Sequence, residues 1–315
     1  MKGKRQCRRW GKRKKQRRDW AEYDRGIIHR GELLLPLNLA KEWQKSLDSQ
    51  NEGKVGAPFD YPDAFLECLG LWKCRCQLPF RECQGVGNRL CEALSLPGTP
   101  HYSNICRRLR RLGEVHCVKR KKDKKGEPIY AVVDGTGLKV CNRGEWMRHK
   151  HKGIRKGFVR ITWAVNSKTG EILEFRATTE KTGENKKFKP ILRGMCKNRK
   201  IGRVGGDGAF DSFDNHEELH KRKIKSSLKI KSNASTGPPG KNDKVMARHR
   251  EAEKFQRWGY KKWAKRRVYG KRWMVETSTG GFKGMFGEYV YSKGMSHVKA
   301  EVVLKVHYFN QLHGF

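Results

Sequence analysis

The spacing of apolar residues changes character along this chain. Residues 27–50 open with a hydrophobic patch and continue into NLAKEWQKSLDSQ, which predicts a helix; residues 51–60 carry Gly, Pro and Asn and predict a linker. From Tyr61 to Leu112 apolar residues recur every three to four positions, the period of a helix with one buried face. Pro79 and the Pro97–Pro100 stretch interrupt that period, predicting helices over 61–72, 78–94 and 101–112. The third offers Ser103 as a cap and carries Arg107, Arg108, Arg110 and Arg111 around both of its sides. A charged stretch, KRKKDKKGEP (119–128), ends this region.

Beyond it the pattern shortens to strand-like runs: Ile129–Val133, Phe158–Asn166 and Glu171–Thr178. The last two are joined by Ser167-Lys168-Thr169-Gly170, a hairpin turn. A helix is predicted over 186–197, a strand over Ile201–Val204, a helix over 212–222 and a short strand at 228–230. Residues 231–250 read as a mobile loop, helices return from 251, and a final helix spans Ser296 to Leu312. That last helix shows Val298, Val302, Val306 and Phe309 as a face for packing on a sheet. Strands and helices in this order predict an α/β fold with a mixed sheet and flanking helices, preceded by a helical, helix-turn-helix-like region. The expected organisation is a basic, disordered tail (1–26), a helical DNA-binding region (27–118), the charged linker (119–128) and a catalytic domain (129–315).

Charge narrows the partners. The chain holds 72 Lys and Arg against 32 Asp and Glu, a formal net charge of +40, which attracts polyanions and raises their encounter rates. Residues 2–18 hold eleven Lys or Arg and no acid, a tail able to add non-specific DNA affinity. Nine Trp, nine Tyr and thirteen Phe supply a core that small basic chromatin proteins lack. No apolar run is long enough to span a bilayer and no secretory leader is evident. Of ten Cys, six fall between Cys68 and Cys106, but their spacing lacks the paired units of structural zinc sites. Buried thiols in a reducing compartment fit better, so a cytoplasmic, nucleoid-associated prokaryotic protein is expected.

Two Asp residues close apolar runs: Asp134 in YAVVDGTG and Asp207 in RVGGDGAF. Near the C-terminus, Tyr269, Arg272, Glu276 and Lys283 form a Tyr-x2-Arg-x3-Glu-x6-Lys constellation. Ligands at the ends of neighbouring strands are where open α/β sheets build sites. Three carboxylates brought together repel one another and call for divalent cations; hard oxygen donors suit Mg2+ or Mn2+. Two such ions would support phosphoryl transfer on nucleic acid. Simpler readings stand beside this one. Asp134-Gly135 and Asp207-Gly208 are also hairpin-turn dipeptides. Glu276 is also placed to pair with Arg272 one helical turn before it, and Tyr269 also suits a core. Asp211 reads as a helix cap before Phe213. Trp258 and Trp263 suit base stacking or a core, and Arg148, Lys150 and Lys152 form a basic loop suited to gripping phosphates.

These segments resemble those of DDE-type transposases of insertion sequences, closest to the "insertion sequence five" group, over most of the chain. DGTGLKV is similar to the first-Asp segment, with Gly135 in place of the usual Ser, and VGGDGAFDS to the second, with Phe210 for Tyr. The Tyr269, Arg272, Glu276 and Lys283 spacing matches the third-acid signature without a gap. YPDAFLE, LPFRECQG and HYSNICRRLRRL resemble the N-terminal segments. The resemblance implies a ribonuclease H-like fold and a transposase that cuts the ends of its own element and joins the 3′-hydroxyls to target DNA. It implies Asp134, Asp207 and Glu276 as catalytic metal ligands for two Mg2+ or Mn2+ ions, with Arg272 and Lys283 on phosphates and Tyr269 on the DNA end. The implied partners are double-stranded DNA, as terminal inverted repeats and target, and a second copy in a homodimer. A ribonuclease H-like nuclease and a non-catalytic DNA-binding derivative remain open as alternatives.

Overall fold

The computed structural model describes residues 19–118, 126–141, 157–237, 246–292 and 294–314. Five helices come first: α1 (Trp20–Glu32), α2 (Leu39–Asn51), α3 (Asp63–Cys76), α4 (Phe80–Leu94) and α5 (Tyr102–Val118). Helix α1 starts inside the stretch expected to be a disordered tail, because Asp19 caps it by accepting from Glu22 N at 3.0 Å. Residues 1–18 and 119–125, most of the expected tail and linker, lie outside the described residues.

The sheet follows: β1 (Ile129–Val140), β2 (Phe158–Asn166), β3 (Ile172–Thr179), then α6 (Asn185–Asn198), β4 (Ile201–Gly206), α7 (Phe213–Lys221) and β5 (Lys225–Leu228). Helices α8 (Ala247–Arg266) and α9 (Trp273–Phe286), strand β6 (Tyr289–Val290) and α10 (Met295–Leu312) complete the chain. The strand order is β3-β2-β1-β4-β5, with β1–β3 antiparallel and β4 and β5 parallel to β1. This mixed sheet with flanking helices is the ribonuclease H-like arrangement that the resemblance implied.

Several boundaries move. The fifth strand is Lys225–Leu228, ahead of the expected 228–230, and α8 begins at Ala247, inside the expected loop. Residues 238–245 of that loop lie outside the described residues. Helix α8 bends at Gly259, whose φ of +70° is one that a side chain would resist. The largest change is in β1. Asp134-Gly135 is no turn: the strand runs straight through it, pairing Asp134 with Trp163 and Gly135 with Thr162 of β2. A continuous partner strand overrides the local turn preference of an Asp-Gly pair.

Alternation along β1 divides the core. Val132, Leu138 and Val140 face α9 and α10 together with Phe282, Phe286, Val302 and Phe309. Ala131 and Val133 face the opposite side, where α6 contributes Phe188, Ile191, Leu192 and Met195. The first cluster continues without a break into Phe65, Leu69, Ile105 and Leu109 of the N-terminal helices. Helix α10 explains this, since its buried face is shared among α5, α3 and the sheet. The sequence suggested a face for the sheet alone.

Cys68, Cys74, Cys83 and Cys91 are buried members of that cluster. Burial pushes the Cys68 and Cys74 thiols up to about 12 and that of Cys83 to about 11. Thiolate, the reactive form, is therefore scarce at these positions. Native protein treated with iodoacetamide near about pH 8 is expected to take label at exposed Cys76 while Cys68, Cys74 and Cys83 stay unmodified. Peptide mass spectrometry reads this, and early labelling of Cys74 would contradict the packing.

Candidate active site

The sheet opens along one edge of β1. On that edge β4 pairs with β1 only as far as Val133↔Gly206, and β6 resumes pairing at Lys139↔Tyr289. Neither strand pairs with residues 134–138 there. Because β1 and β4 run parallel, the residues that follow Val133 and Gly206 emerge side by side. They are Asp134 and Asp207, on backbones about 5 Å apart by strand spacing.

Each Asp is held by its own loop. The Gly135 amide donates to Asp134 Oδ1 at 2.9 Å. Asp207 caps the short 3-10 turn Gly208–Phe210, accepting from Ala209 N at 2.9 Å. Asp134 lies on the face of β1 that α9 covers, and Glu276 sits in the first turn of α9. Val275, Ser278, Phe282 and Phe286 bury the other side of that helix, leaving the Glu276 side chain 59% exposed above the opening.

Arg272, at the junction of the 3-10 turn Tyr269–Arg272 and α9, joins the two acids. Its Nη1 lies 3.0 Å from Glu276 Oε1 and its Nη2 lies 3.7 Å from Asp134 Oδ2. The one-turn ion pair and the convergence of acids are therefore both real. Burial pushes the Asp134 carboxyl up, opposed by the Gly135 amide and by Arg272, and the charges of Asp207 and Glu276 push it up further. The guanidinium occupies a place that asks for positive charge. Carboxylate oxygens on rigid strand ends and one exposed helix turn form a donor set of the kind hard divalent cations take.

Replacing Arg272 with Gln is expected to lower the melting temperature of metal-free protein, since Asp134 then lies half-buried among like charges. The cost is about 1–3 kcal/mol, and millimolar Mg2+ is expected to recover more stability in this variant than in wild type. Equal melting curves would mean that Arg272 does not neutralise the acids.

A fourth carboxylate escaped the sequence reading. Glu184, the residue before α6, approaches Gly135 from the opposite face of the sheet and lies 3.7 Å from Arg160 Nε. Burial raises its carboxyl, Arg160 lowers it, and Asp134 and Asp207 raise it again. No local motif marks it.

Other expected residues fall differently. Tyr269 is buried against Trp263, ring centroids 5.4 Å apart, and against Tyr260 at 6.4 Å. Its ring belongs to an aromatic cluster, which corrects the stacking role on a DNA end. Trp263 is fully buried in the same cluster, whereas Trp258 is part-exposed with Arg266 over its ring at 4.4 Å. Lys283 lies two turns beyond Glu276, its Nζ 3.6 Å from Glu288 Oε1, with Lys139 on the same carboxylate at 3.5 Å. Asp211 is no cap either. Ser212 caps α7 by accepting from Asn215 N, and Asp211 is buried beneath it. Its carboxylate accepts from Arg248 Nε and Nη2, both at 2.8 Å, and from Lys231 N at 3.0 Å.

Helix α5 is packed by α3, α4 and α10, so it lies at the centre of the helical region. That corrects its picture as a free recognition helix. Arg108 is drawn in, ion-paired with Asp63 and 4.1 Å from the Phe59 ring; Arg111 lies 5.3 Å from the same ring. Arg107 donates to Asn104 Oδ1 at 2.6 Å, and Arg107, Arg110 and Arg111 remain exposed. Arg148, Lys150 and Lys152 lie outside the described residues. Among the described residues no helix is long and apolar enough to cross a membrane.

Comparison with known proteins agrees with this geometry. A family model described as a transposase DDE domain matches residues 125–310, and a second model of the same description matches residues 28–143. Among solved structures, the chain is similar to the piggyBac transposase in a synaptic complex with hairpin DNA, determined by cryo-electron microscopy. The identity is 9%, the match covers 91% of this chain and 79% of that one, and the TM-score is 0.40. With the family model spanning the sheet from before β1 into α10, this chain belongs to the transposase DDE-domain family.

Proposed function

We propose that the protein cuts DNA at the ends of its own insertion sequence and joins the freed 3′-hydroxyls to target DNA, using Asp134, Asp207 and Glu276 as its catalytic carboxylates. The observation that carries this reading is the parallel β1–β4 register, which sets the two Asp side by side, with Arg272 tying Glu276 to the same opening. These three carboxylates would hold Mg2+ or Mn2+. Once bound, a divalent pair supplies charge neutralisation at the scissile phosphate and activation of the attacking oxygen.

The chain's own residues supply rigid placement and positive charge. Asp134 and Asp207 are fixed by backbone amides, so their oxygens are preorganised. Arg272 and Lys283 lie on either side of Glu276 along the opening and would contact backbone phosphates. Exposed Arg107, Arg110 and Arg111, the basic loop with Arg148, Lys150 and Lys152, and the +40 charge would hold the duplex through counterion release. Two ends must be held for both to be joined, so a homodimer in the DNA complex is part of the proposal.

The test uses purified protein, Mg2+ or Mn2+, and a DNA fragment carrying this reading frame with its genomic flanks. Paired cuts at inverted repeats with joined products are expected. Hydrolysis without joining would identify a nuclease, and binding without metal-dependent cutting would identify a non-catalytic derivative.

A further inference from the structure

We infer that Glu184 is a fourth carboxylate of this same site, reaching the divalent cation from the opposite face of the sheet through the space left by Gly135. This rests on the reading of Asp134, Asp207 and Glu276 as the catalytic acids. The argument starts with side-chain alternation in β1. Asp134 points to the α9 side, so Gly135 points to the α6 side. A Cβ built on Gly135 would lie 2.2–2.5 Å from the carbon and oxygens of the Glu184 carboxylate. Only a residue without a side chain lets that carboxylate reach the strand at the point where Asp134 and Asp207 emerge. Gly135 lies within regular strand, so the glycine serves this approach and not a turn.

The cost of the arrangement points to a cation. A fourth negative charge beside three others is unfavourable, and a helix start favours an acid by only about 0.3–1 kcal/mol. The ion pair with Arg160 is loose at 3.7 Å and leaves the carboxylate oriented at the strand. One arginine therefore stands on each face, Arg272 beside Asp134 and Glu276 and Arg160 beside Glu184. A divalent cation at the strand ends would neutralise acids from both faces at once.

The experiment titrates Mn2+ into the full-length protein and follows free Mn2+ by electron paramagnetic resonance. Wild type, Glu184→Gln, Gly135→Ala, Arg160→Gln and Asp207→Asn are compared, with melting curves without metal as a folding check. Glu184→Gln is expected to lose about 10–100-fold in Mn2+ affinity while melting without metal no lower than wild type. Gly135→Ala is expected to weaken binding in the same direction by displacing the carboxylate, and Arg160→Gln to leave it unchanged or tighter. Wild-type affinity in Glu184→Gln, with loss in Asp207→Asn, would overturn the inference and leave Glu184 as the ion partner of Arg160. Loss in Glu184→Gln with none in Asp207→Asn would support Glu184 and overturn the assignment of Asp207. No binding by wild type at millimolar Mn2+ would overturn both.

Discussion

Asp207→Asn is expected to abolish cleavage and joining, a loss of at least about 10²–10³-fold in rate, while DNA affinity stays at the wild-type level. The substitution is nearly isosteric, and the amide oxygen can still accept from Ala209 N, so the turn after β4 should survive. What disappears is one negative charge at the mouth of the sheet. DNA binding depends on the many Lys and Arg of a chain of net charge +40, so removing one acid does not weaken it. Cleavage and strand-transfer products on labelled ends, alongside a binding titration at fixed salt, separate the two effects. Retained cleavage would remove Asp207 from the chemistry. Lost binding would mean that the variant had misfolded or that Asp207 shapes the DNA surface.

The largest stability effect should come from Arg248→Met. Asp211 is four residues beyond Asp207, and its buried carboxylate is held by Arg248, by Lys231 N and by His216 Nε2 at 3.3 Å. This cluster ties the turn after β4 to α7, to α8 and to the segment after β5. Removing one partner leaves an uncompensated buried charge, which costs about 3–5 kcal/mol. The double variant Asp211→Leu with Arg248→Met should recover part of that loss.

The pH dependence has a definite sign. Burial alone would raise the Asp211 carboxyl, but the bonds from His216, Arg248 and Lys231 N outweigh it and hold it far below the usual carboxylate range. A depressed carboxyl stabilises the fold above its unfolded pKa and loses that contribution as pH falls below about 4. The gap in stability between wild type and Arg248→Met should therefore narrow on acidification from neutral pH toward about pH 2. Chemical denaturation at several pH values measures this. A gap that is constant with pH, or smaller than 1 kcal/mol at neutral pH, would contradict the account; the threshold lies well below the cost of about 3–5 kcal/mol.

What could be read from the sequence was what depends on neighbours along the chain. Helices α3, α4 and α5 follow their apolar period, and β2 and β3 follow their alternation and the turn between them. The spacing from Arg272 to Glu276 foretold their ion pair. What failed depended on distant partners. The Asp134-Gly135 turn signal lost to a pairing with β2, nearly thirty residues away in sequence. Tyr269 looked like an exposed aromatic in a basic stretch, and only Trp263 and Tyr260 on kinked α8 bury it. Asp211 looked like a cap because Arg248, its main partner, lies in a different helix. Glu184 had no local signature, since its relation to the site comes from sheet alternation and a missing Cβ on another strand.

The central claim is that acids far apart in sequence hold one metal centre, and iron-directed backbone cleavage tests it most directly. Fe2+ replaces Mg2+ in the protein, ascorbate and peroxide generate hydroxyl radicals at the bound iron, and the fragments are mapped by mass. The account predicts cuts close to Asp134, Asp207 and Glu276 together, suppressed by excess Mg2+ and lost in Asp207→Asn. Cuts scattered along the chain, or confined near one acid and unchanged in the variant, would contradict it.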